Sequence, residues 1–503
     1  MKRVFILGID GGTLSLVESW LDCLPSFKKF FCEGTRGALE TTIPPLTPSA
    51  WTSFMTGTSP RLHGVLDFYR LDENFRVRIS TRNKKIKTLW RILSENRKKV
   101  ISLAVPFTYP PETVNGIMVS GFLTPSPDVA FTYPPSFKEE LFKNVPDYMI
   151  VENVKYTERD EDKEAFRDAI FRMMDARTKA MVYLMEKYPW DVFMVTFMGV
   201  DHAQHWFWKY MDRSHPRYKE DERFRDVILN AYRKMDEILG YLMDSLPSDT
   251  VMLIMSDHGG GPCYGSVNLN YFLATRGFLK IKGSAKTGIK KLLYALGITP
   301  SFLAGIAMHL TTGKVMIKMR REGKKKLASF LGLTYQDIDP EKTLAYSFGY
   351  YGPVYINTKR RNPRGRVSDE DYQKVREDVL SSLLEIKDPL SGERLITRWW
   401  MREEIYGDNW NMPDIVLEMR NFAYTASVFA FPSRSVFLPS LTSKSGEHTV
   451  HGIFGARGEG IPEGKKLKYC SILDIAPTVL TLTGISSPPY FEGKPLFQPV
   501  KVR

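Results

Sequence analysis

The sequence predicts an α/β protein whose core is layered around a mostly parallel central sheet. Helical and strand-like patterns alternate from the N-terminus to Asp257, which is typical of a parallel sheet covered by helices. Three apolar, strand-like runs are each followed by an aspartate: Asp10, Asp201 or Asp257. Open α/β sheets place their ligand sites outside the carboxyl ends of the strands. The chain has 503 residues, too many for one simple core, so we expect a large domain and a sizeable insertion.

The first elements follow from apolar runs and their spacing. Residues 3–9 (RVFILGI) are predicted to form a buried strand, and the amphipathic stretch 20–32 is predicted to form a helix. The proline-rich segment TTIPPLTPS is predicted to be a loop that leads into a helix over residues 50–56. The sequence PRLHG at residues 60–64 is typical of a turn. The chain therefore opens as a strand, a helix and a loop that carries the next helix.

Strands and long helices then alternate up to Ser256. Helical spacing of Phe166, Ile170 and Met173 continues to residue 187 and leads directly into the next apolar run. Short apolar runs bounded by polar residues predict the strands. The predicted strands are residues 99–105, 116–121, 190–197 and 250–256, and the predicted helices are residues 165–187 and 222–245. This order indicates parallel strands joined by helical crossovers.

The alternation stops after the glycines at residues 259–261, and the region that follows is predicted to be an inserted α+β lid or cap. The core is predicted to resume near residue 441. The remaining predicted elements are a hairpin around residues 346–359, a turn at 362–365, a helix at 368–384, a strand at 452–456 and a closing helix at 472–483. The predicted domains are therefore a core of residues 1–262 and 441–503 and an insertion of residues 263–440.

The positive charge of the chain is concentrated in one segment of the insertion. The chain has 70 Lys or Arg against 57 Asp or Glu, which gives a net charge of +13. Residues 276–326 contain 13 Lys or Arg and one acid, Glu322, so this basic segment alone carries +12. One interpretation is a solvated basic face. The other is contact with an anionic surface, such as lipid headgroups or a polyphosphate substrate. The apolar stretches at 292–294 and 302–308 fit either an interfacial helix or a lid helix packed over an active site.

Cysteine use and the length of the apolar runs indicate an intracellular protein, and we expect a cytoplasmic location. The four cysteines form no CxxC pair, which argues against a disulfide framework and against a thiolate zinc site. The N-terminal apolar run is too short for a signal peptide. No stretch reaches the roughly 18 apolar residues of a membrane span.

Thr47 is the candidate nucleophile. The sequence Thr47-Pro48-Ser49 is a good helix start, with threonine at the N-cap and proline at the first helical position. One interpretation is that Thr47 only caps this helix. The other is that the helix N-terminus, with its free N–H groups and positive dipole end, binds a phosphate beside Thr47. A hydroxyl at that place becomes a nucleophile when a metal ion lowers its pKa.

Aspartate and histidine occur together in two places. Asp201 and His205 are spaced i and i+4, so on a helix turn both side chains could bind one ion. His202 would point elsewhere from such a turn. Asp257 and His258 end a strand and precede three glycines, where the backbone is predicted to turn sharply.

A hydrogen-bonded Asp and His in a loop would explain either pair taken alone. Asp10 and His448 also lie at the ends of predicted elements, which brings the number of candidate ligands to six. Taken together, the six side chains predict a metal site. His451 is the alternative to His448 as the last ligand.

The order and spacing of these motifs resemble the alkaline phosphatase superfamily, and within it the type I phosphodiesterase/nucleotide pyrophosphatase family. The resemblance covers the predicted core and matches the insertion only loosely. The motifs that carry it are Asp10-Gly11, the Thr47 segment up to Met55-Thr56-Gly57, Pro60-Arg61-Leu62-His63-Gly64, Asp201-x-x-x-His205, Ser256-Asp257-His258-Gly259 and Gly446-x-His448. The resemblance implies an alkaline-phosphatase-like α/β/α core with the insertion as a lid or cap.

The resemblance also implies two divalent metal ions, Zn²⁺ or alternatively Mn²⁺, since oxygen and imidazole ligands suit both. The implied ligands are Asp10, Thr47, Asp257 and His258 for one ion and Asp201, His205 and His448 for the other. His448 is preferred to His451 because it follows Gly446 as in the family motif. His63, which lies in a family turn, is implied to be structural.

The implied activity is that of a two-metal phosphodiesterase or nucleotide pyrophosphatase acting on a small phosphate ester or pyrophosphate. Thr47 would attack phosphorus in line and form a phosphothreonine intermediate that water hydrolyses, while the two ions clamp the phosphoryl group. The alternatives are a phosphomonoesterase or phosphotransferase of the same superfamily, and a non-catalytic protein that binds anionic membranes through the basic segment. No specific nucleic-acid partner is predicted, and the sequence does not predict the oligomeric state.

Two positions depart from the pattern of the nucleotide-cleaving branch. That branch follows its nucleophile with Phe-Pro-Asn, whereas this chain has Pro48-Ser49-Ala50. The branch also places an asparagine that binds a phosphoryl oxygen where this chain has Phe68. A donor to that oxygen must come from elsewhere, for example from backbone N–H groups or from a Lys or Arg of the insertion. These departures leave nucleotide specificity open. A sulfatase is disfavoured, because no C/S-x-P-x-R segment stands at the nucleophile position.

Overall fold

A computed structural model of the chain describes residues 2–152, 154–284, 287–289, 334–427, 435–438 and 444–497. Most of the basic segment, with both of its apolar stretches, lies outside these described residues. The membrane and lid interpretations of that segment therefore stay predictions. Within the described ranges, no helix combines the length and the apolar character needed to cross a membrane.

Strands and helices alternate through most of the described chain. The strands are β1 Arg3–Ile9, β2 Thr35–Glu40, β3 Tyr69–Leu71, β4 Val77–Ile79, β5 Val100–Val105, β6 Gly116–Ser120, β7 Thr132–Tyr133, β8 Val192–Phe197, β9 Thr250–Met255, β10 Gly259–Pro262, β11 Gly265–Val267, β12 Ala345–Ser347, β13 Val354–Ile356, β14 Ile396–Met401, β15 Ile415–Met419, β16 Tyr424–Ala426, β17 Phe437–Leu438, β18 Gly446–Thr449, β19 His451–Arg457, β20 Lys465–Lys466 and β21 Cys470–Ser471. The helices are α1 Leu14–Ser19, α2 Pro25–Cys32, α3 Thr47–Thr56, α4 Pro60–His63, α5 Leu89–Glu95, α6 Phe137–Asn144, α7 Asp160–Lys187, α8 Gly199–Met211, α9 Glu222–Arg225, α10 Val227–Ser245, α11 Leu269–Thr275, α12 Tyr372–Leu383, α13 Arg402–Tyr406 and α14 Ile475–Leu482.

A ten-stranded sheet organises the core, in the order β20-β2-β19-β9-β1-β8-β5-β6-β7, with β21 paired to β2. The central strand β1 runs parallel to β8 on one side and to β9 on the other. The strand β5 is parallel to both β8 and β6. Antiparallel pairing occurs where β19 joins β9 to β2 and where β7 joins β6. The predicted α/β class with a mostly parallel central sheet is confirmed.

The side chains of β1 alternate between two apolar cores, one on each face of the sheet. Phe5, Leu7 and Ile9 join the core that contains residues of α2, α7, α8 and α10. Val4 and Ile6 join the core that contains residues of α3, α5 and α14. All five are fully buried, and burying an apolar side chain contributes about 1.5–3 kcal/mol. Helices therefore cover both faces, which gives the core its α/β/α layers.

Two of the predicted helices are each divided in the structure. The predicted helix at 20–32 is replaced by α1, a 3₁₀ turn at Leu21–Cys23 and α2. Pro25 starts α2 because it has no N–H to donate, and it holds Leu24 out of the helical region, at φ −128° and ψ 70°. The predicted helix at 222–245 is two helices, α9 and α10, separated at Asp226.

The backbone bends at Asp257 and His258, where the sequence predicts a sharp turn. The glycines that follow form β10, which pairs antiparallel with β18. They are needed for close approach rather than for turning, because a Cβ on Gly260 would lie 2.5 Å from Cδ of Gln204. The strand β10 therefore brings α8 and β18 close to the end of β9.

The chain divides into two compact units. The first comprises Met1–Asp67, Thr81–Tyr264 and Thr442–Arg503 and contains the ten-stranded sheet. The second comprises Phe68–Ser80 and Gly265–Leu441. It contains the hairpin β3-β4 and the antiparallel sheet β12-β13-β15-β14, whose first two strands form the hairpin expected from the sequence. The role of residues 263–440 as a lid stays a prediction.

Candidate metal centre

The three aspartates lie at the carboxyl ends of three neighbouring strands. The strands β9, β1 and β8 are adjacent in the sheet and parallel. Asp10 follows β1 directly, Asp257 follows β9 after Ser256, and Asp201 lies in the first turn of α8, just after β8. All three are buried. The parallel order of the strands therefore gathers three carboxylates at one edge of the sheet.

The first group consists of Asp10, Asp257 and His258. Their candidate ligand atoms all lie within 4.8 Å of one another. Nε2 of His258 lies 3.1 Å from Oδ2 of Asp257 and 3.7 Å from Oδ1 of Asp10. Oγ1 of Thr47 lies 3.2 Å from the same nitrogen. The four side chains that the resemblance implies as ligands of one ion therefore meet around Nε2 of His258.

The second group consists of Asp201, His205 and His448, again within 4.8 Å of one another. The i and i+4 spacing on α8 places Nε2 of His205 3.4 Å from Oδ1 of Asp201. Nε2 of His448 lies 3.1 Å from Nε2 of His205 and 3.5 Å from Oδ1 of Asp201. Ligands held at 2.0–2.1 Å from one tetrahedral ion are about 3.3 Å apart. The triangle formed by these three atoms fits such an ion.

The two groups are direct neighbours. The imidazole ring of His258 stacks on that of His448, with ring centroids 3.6 Å apart and an angle of 17° between the planes. This stacking places a residue of the first group against a residue of the second. A phosphoryl group could therefore contact ions held by both groups at once.

Hydrogen bonds fix the tautomer of all three histidines. Each Nδ1 contacts a backbone carbonyl oxygen, which can only accept, so each Nδ1 carries the proton and donates it. The bonds run from His205 to Gly446 (2.8 Å), from His448 to Pro45 (2.8 Å) and from His258 to Gly259 (3.1 Å). Each Nε2 therefore carries a lone pair, through which a histidine binds a metal.

The carboxylates of the first group each have one oxygen fixed by the protein and one oxygen without a donor. The indole of Trp51 donates from Nε1 to Oδ2 of Asp10 at 2.9 Å. The N–H of Gly11 donates to Oδ1 of Asp257 at 3.2 Å. Oδ1 of Asp10 and Oδ2 of Asp257 are buried and accept no hydrogen bond from the described residues. Buried oxygens of this kind are costly unless a cation binds them.

The environment disfavours charge on every one of the six side chains. Burial, followed by repulsion from Asp201, raises the pKa of Asp10 well above its usual value. Burial and repulsion from Asp10 do the same to the pKa of Asp257. Burial also raises the pKa of Asp201 to about 6.

The pKa values of the histidines are shifted in the opposite direction. Burial is the largest cause for each: it lowers the pKa of His205 and of His258 well below the usual value, and that of His448 to about 3. The imidazoles are therefore neutral and cannot compensate three buried carboxylates. Divalent cations would compensate them, so the residues present fit bound metal ions.

Thr47 is the first residue of α3 and does not cap it. The N-cap is Leu46, one residue earlier than the sequence indicated, and no side chain caps the helix. The Thr47 side chain is buried, and its hydroxyl faces His258. The interpretation of Thr47 as a simple helix cap is therefore wrong.

Other histidines named by the sequence lie outside the two groups. His202 pairs through Nδ1 with Glu152 at 2.7 Å. Nε2 of His63 lies 2.9 Å from Oγ of Ser53. His451, the alternative to His448, is exposed at the start of β19.

Gln204 is a site residue that the sequence analysis missed. Its Nε2 donates to the carbonyl of Gly11 at 2.8 Å, and its Oε1 accepts from Oγ1 of Thr13 at 3.2 Å. The N–H of Gly260 in turn donates to Oγ1 of Thr13 at 2.7 Å. This network ties α8, which carries the second group, to the backbone around the first group. The only sequence signal that could have identified Gln204 is its position next to His205.

Comparison with protein families matches residues 4–428 to Type I phosphodiesterase / nucleotide pyrophosphatase. The matched range includes Thr47 and every aspartate of the two groups. Comparison with curated proteins gave no match.

Proposed function

Because this chain belongs to the type I phosphodiesterase/nucleotide pyrophosphatase family, whose members are metal-dependent phosphoric ester hydrolases, we propose that it hydrolyses a small phosphate diester or pyrophosphate at the two Asp/His groups. The observation that carries the proposal is the position of the Thr47 hydroxyl, 3.2 Å from Nε2 of His258. That nitrogen lies 3.1 Å from Oδ2 of Asp257 and 3.7 Å from Oδ1 of Asp10.

The proposed cofactors are two divalent ions, Zn²⁺ or alternatively Mn²⁺. Asp10, Asp257 and His258 would hold one ion together with Thr47, and the second group would hold the other. All ligand atoms are carboxylate, hydroxyl or imidazole atoms, which suit both metals. When bound, the ions would supply Lewis-acid charge to the phosphoryl oxygens and lower the pKa of the attacking hydroxyl.

Thr47 is the proposed nucleophile. Its hydroxyl gives up its proton to solvent, and Oγ1 bonds to phosphorus in line with the leaving group. The bond from phosphorus to the leaving oxygen breaks, and its electron pair departs with that oxygen. The start of α3, where N–H groups have no helical partner, favours the negative charge of the phosphoryl group. Water then hydrolyses the phosphothreonine and releases phosphate or a phosphate monoester.

A substrate panel combined with Thr47 variants tests the proposal. Diesters, pyrophosphates and monoesters are assayed with added Zn²⁺ or Mn²⁺, and a preference for monoesters, or transfer to an added alcohol, would establish the alternatives within the superfamily. Thr47→Ala should lower turnover by about 10³-fold or more while metal content stays that of the wild type. Acid quenching should trap a phosphothreonine at residue 47.

Thr52→Ala is the matched control, because Thr52 lies in the same helix and its hydroxyl bonds only within it, to the carbonyl of Pro48 at 2.6 Å. It should keep wild-type turnover. Undiminished activity in Thr47→Ala would disprove the proposed nucleophile. Absence of activity on the whole panel would leave the non-catalytic membrane-binding alternative.

The cytoplasm stays the proposed compartment, and the four free cysteines support it.

A further inference from the structure

Lys444 places a positive charge beside the second group. Its Nζ lies 3.5 Å from Oε1 of Glu447, and that oxygen lies 3.9 Å from Nδ1 of His205. The Glu447 side chain is 1% exposed, whereas that of Lys444 is 21% exposed. The ammonium group is therefore close to the candidate metal ligands and can also be reached from solvent.

The backbone around Lys444 is fixed relative to those ligands. The N–H of Ser445 donates to the carbonyl of His205 at 2.7 Å, and the N–H of Cys263 donates to the carbonyl of Ser445 at 2.8 Å. The guanidinium of Arg217 donates to the carbonyl of Lys444. These bonds attach the start of β18 to α8, so the position of the lysine is set by the same helix that carries Asp201 and His205.

The ammonium group of Lys444 lies 3.5 Å from Oε1 of Glu447, which adjoins His205 of the second group. An anion that approaches this group therefore enters the field of the lysine.

We propose that the ammonium group of Lys444 donates a hydrogen bond to a nonbridging oxygen of the substrate's phosphoryl group, which makes it a substrate-binding residue of the active site. The proposal rests on the proposed function. Lysine binds phosphate as a point charge with three donors. Lys444 would supply the hydrogen-bond donor to a phosphoryl oxygen that the Phe68 side chain cannot supply. Lys444 belongs to the first unit of the chain and not to the insertion.

The competing explanation is that Lys444 only neutralises the buried carboxylate of Glu447. The two explanations differ in a double variant. If neutralisation of Glu447 is the whole role of Lys444, removing both charges together should restore the affinity of the site for phosphate. If Lys444 binds the phosphoryl oxygen, the double variant should be as defective as Lys444→Ala.

The test measures the affinity of the metal-loaded protein for inorganic orthophosphate by calorimetry, alongside metal content. The variants are Lys444→Ala, Lys444→Arg, Glu447→Gln and the double variant Lys444→Ala/Glu447→Gln. Lys468→Ala is the control, since Lys468 is an exposed lysine near the same end of the chain. We expect Lys444→Ala and the double variant to bind orthophosphate about 10- to 100-fold more weakly, because hydrogen bonds to charged groups are strong. Lys444→Arg should recover part of the affinity, and Lys468→Ala should match the wild type.

The proposal is overturned if Lys444→Ala binds orthophosphate as the wild type does, or if the double variant regains wild-type affinity. It is also overturned if metal content falls while phosphate affinity per loaded site is unchanged. In the substrate panel, Lys444→Ala should raise KM more than it lowers kcat. The phosphate affinity needs no turnover, so it judges Lys444 even if the wild type hydrolyses none of the substrates and the proposed function fails.

Discussion

Single residues prepare the first group for a cation by holding one oxygen of each carboxylate. Asp10 shows this most clearly, because the Trp51 indole occupies Oδ2 and Oδ1 is left without a donor. The hydrogen bond also keeps the carboxylate in one orientation. Partners that orient a ligand in this way are commonly worth 10- to 100-fold in metal affinity. Trp51 therefore belongs to the chemistry of the site although it would touch no metal.

Trp51→Phe should weaken metal binding at the first group by about 10- to 100-fold, since the ring remains and only the N–H donor is lost. Trp90→Phe is a matched control. Trp90 is fully buried in the same apolar core, and its Nε1 has no hydrogen-bond partner among the described residues. Calorimetric titration of chelator-treated protein measures both variants. Equal metal affinities in the two would show that the bond from Trp51 to Asp10 has no role in binding.

At this scale the sequence predicted the residues that carry recognisable chemistry, and not the residues that support them. Asp10, Asp257 and His258 stand in motifs whose spacing indicates ligands. Trp51 and Gln204 lie inside the Thr47 and Asp201–His205 motifs at positions to which the sequence assigns no role, and they act through contacts with residues far apart in sequence. Contacts of this kind follow from the packing of α3 and α8 against the sheet, which a single sequence does not specify.

Elements position the site through close approaches of backbone. A Cβ on Gly446 would lie 2.2 Å from the carbonyl oxygen of Gln204. The strand β18 can therefore lie against α8 only with glycine at this position, and that approach delivers His448 to His205. The end of α3 is held in a similar way: the N–H of Glu492 donates to the carbonyl of Gly57 at 2.9 Å, directly after the helix that carries Thr47.

The contact between Glu492 and the residues after α3 should make stability depend on pH. Burial alone would raise the pKa of Glu492, but the Ser59 N–H and Arg61 outweigh it and lower the pKa below 4.5. A carboxylate with a lowered folded pKa contributes stability that is present above the unfolded pKa of about 4.3 and is lost as pH falls through the folded pKa. Glu492→Gln should therefore lower the melting temperature at pH 7, and its difference from the wild type should shrink below about pH 4.

Thermal unfolding between pH 3 and pH 7 measures this effect. Glu463→Gln is the control, because Glu463 is exposed and forms no ion pair within the described chain. Its melting temperature should follow that of the wild type at every pH. A difference between Glu492→Gln and the wild type that stays constant with pH would assign the effect to lost packing instead of to the ionised carboxylate.

Element boundaries were predictable where apolar runs are long, as for β1, β8 and β9. They were not predictable where a local rule interrupts the pattern, as Pro25 does between α1 and α2. The strand β2 was missed because its burial alternates along a mixed polar sequence, and its pairing with β19 joins residues about 420 positions apart. The strand β10 was not predicted, because its glycines permit close approach as well as turns and carry no apolar pattern.

For the whole molecule, the candidate site joins the two ends of the chain. The ligands of the first group come from residues 10 to 258, whereas His448 returns from the C-terminal part on β18. The parallel arrangement of the central strands β9, β1 and β8 was predictable, since alternating helices and strands give parallel sheets. The stacking of His258 on His448 was not, because it depends on the pairing of β10 with β18.

Metal binding should therefore stabilise the whole first unit. A ligand that binds only the folded state, at a concentration of 100 times its Kd, adds about 2.7 kcal/mol for each site. Adding Zn²⁺ to chelator-treated protein should raise the melting temperature, and elemental analysis should find two ions per chain. The buried carboxylates explain why Zn²⁺ should raise the melting temperature, because in the metal-free protein they have no positive partner among the six side chains.

His448→Ala should lose about one ion and part of the thermal gain, because Nε2 of His448 is one of the three candidate ligand atoms of the second group. His451→Ala is the matched control, since it removes an exposed imidazole three residues away. It should keep both ions and the full gain. If His451→Ala lost an ion while His448→Ala kept both, the second group would be assigned wrongly. If both variants bound two ions, the second ion would depend on Asp201 and His205 alone, and the close approach of β18 to α8 would serve the fold and not the metal.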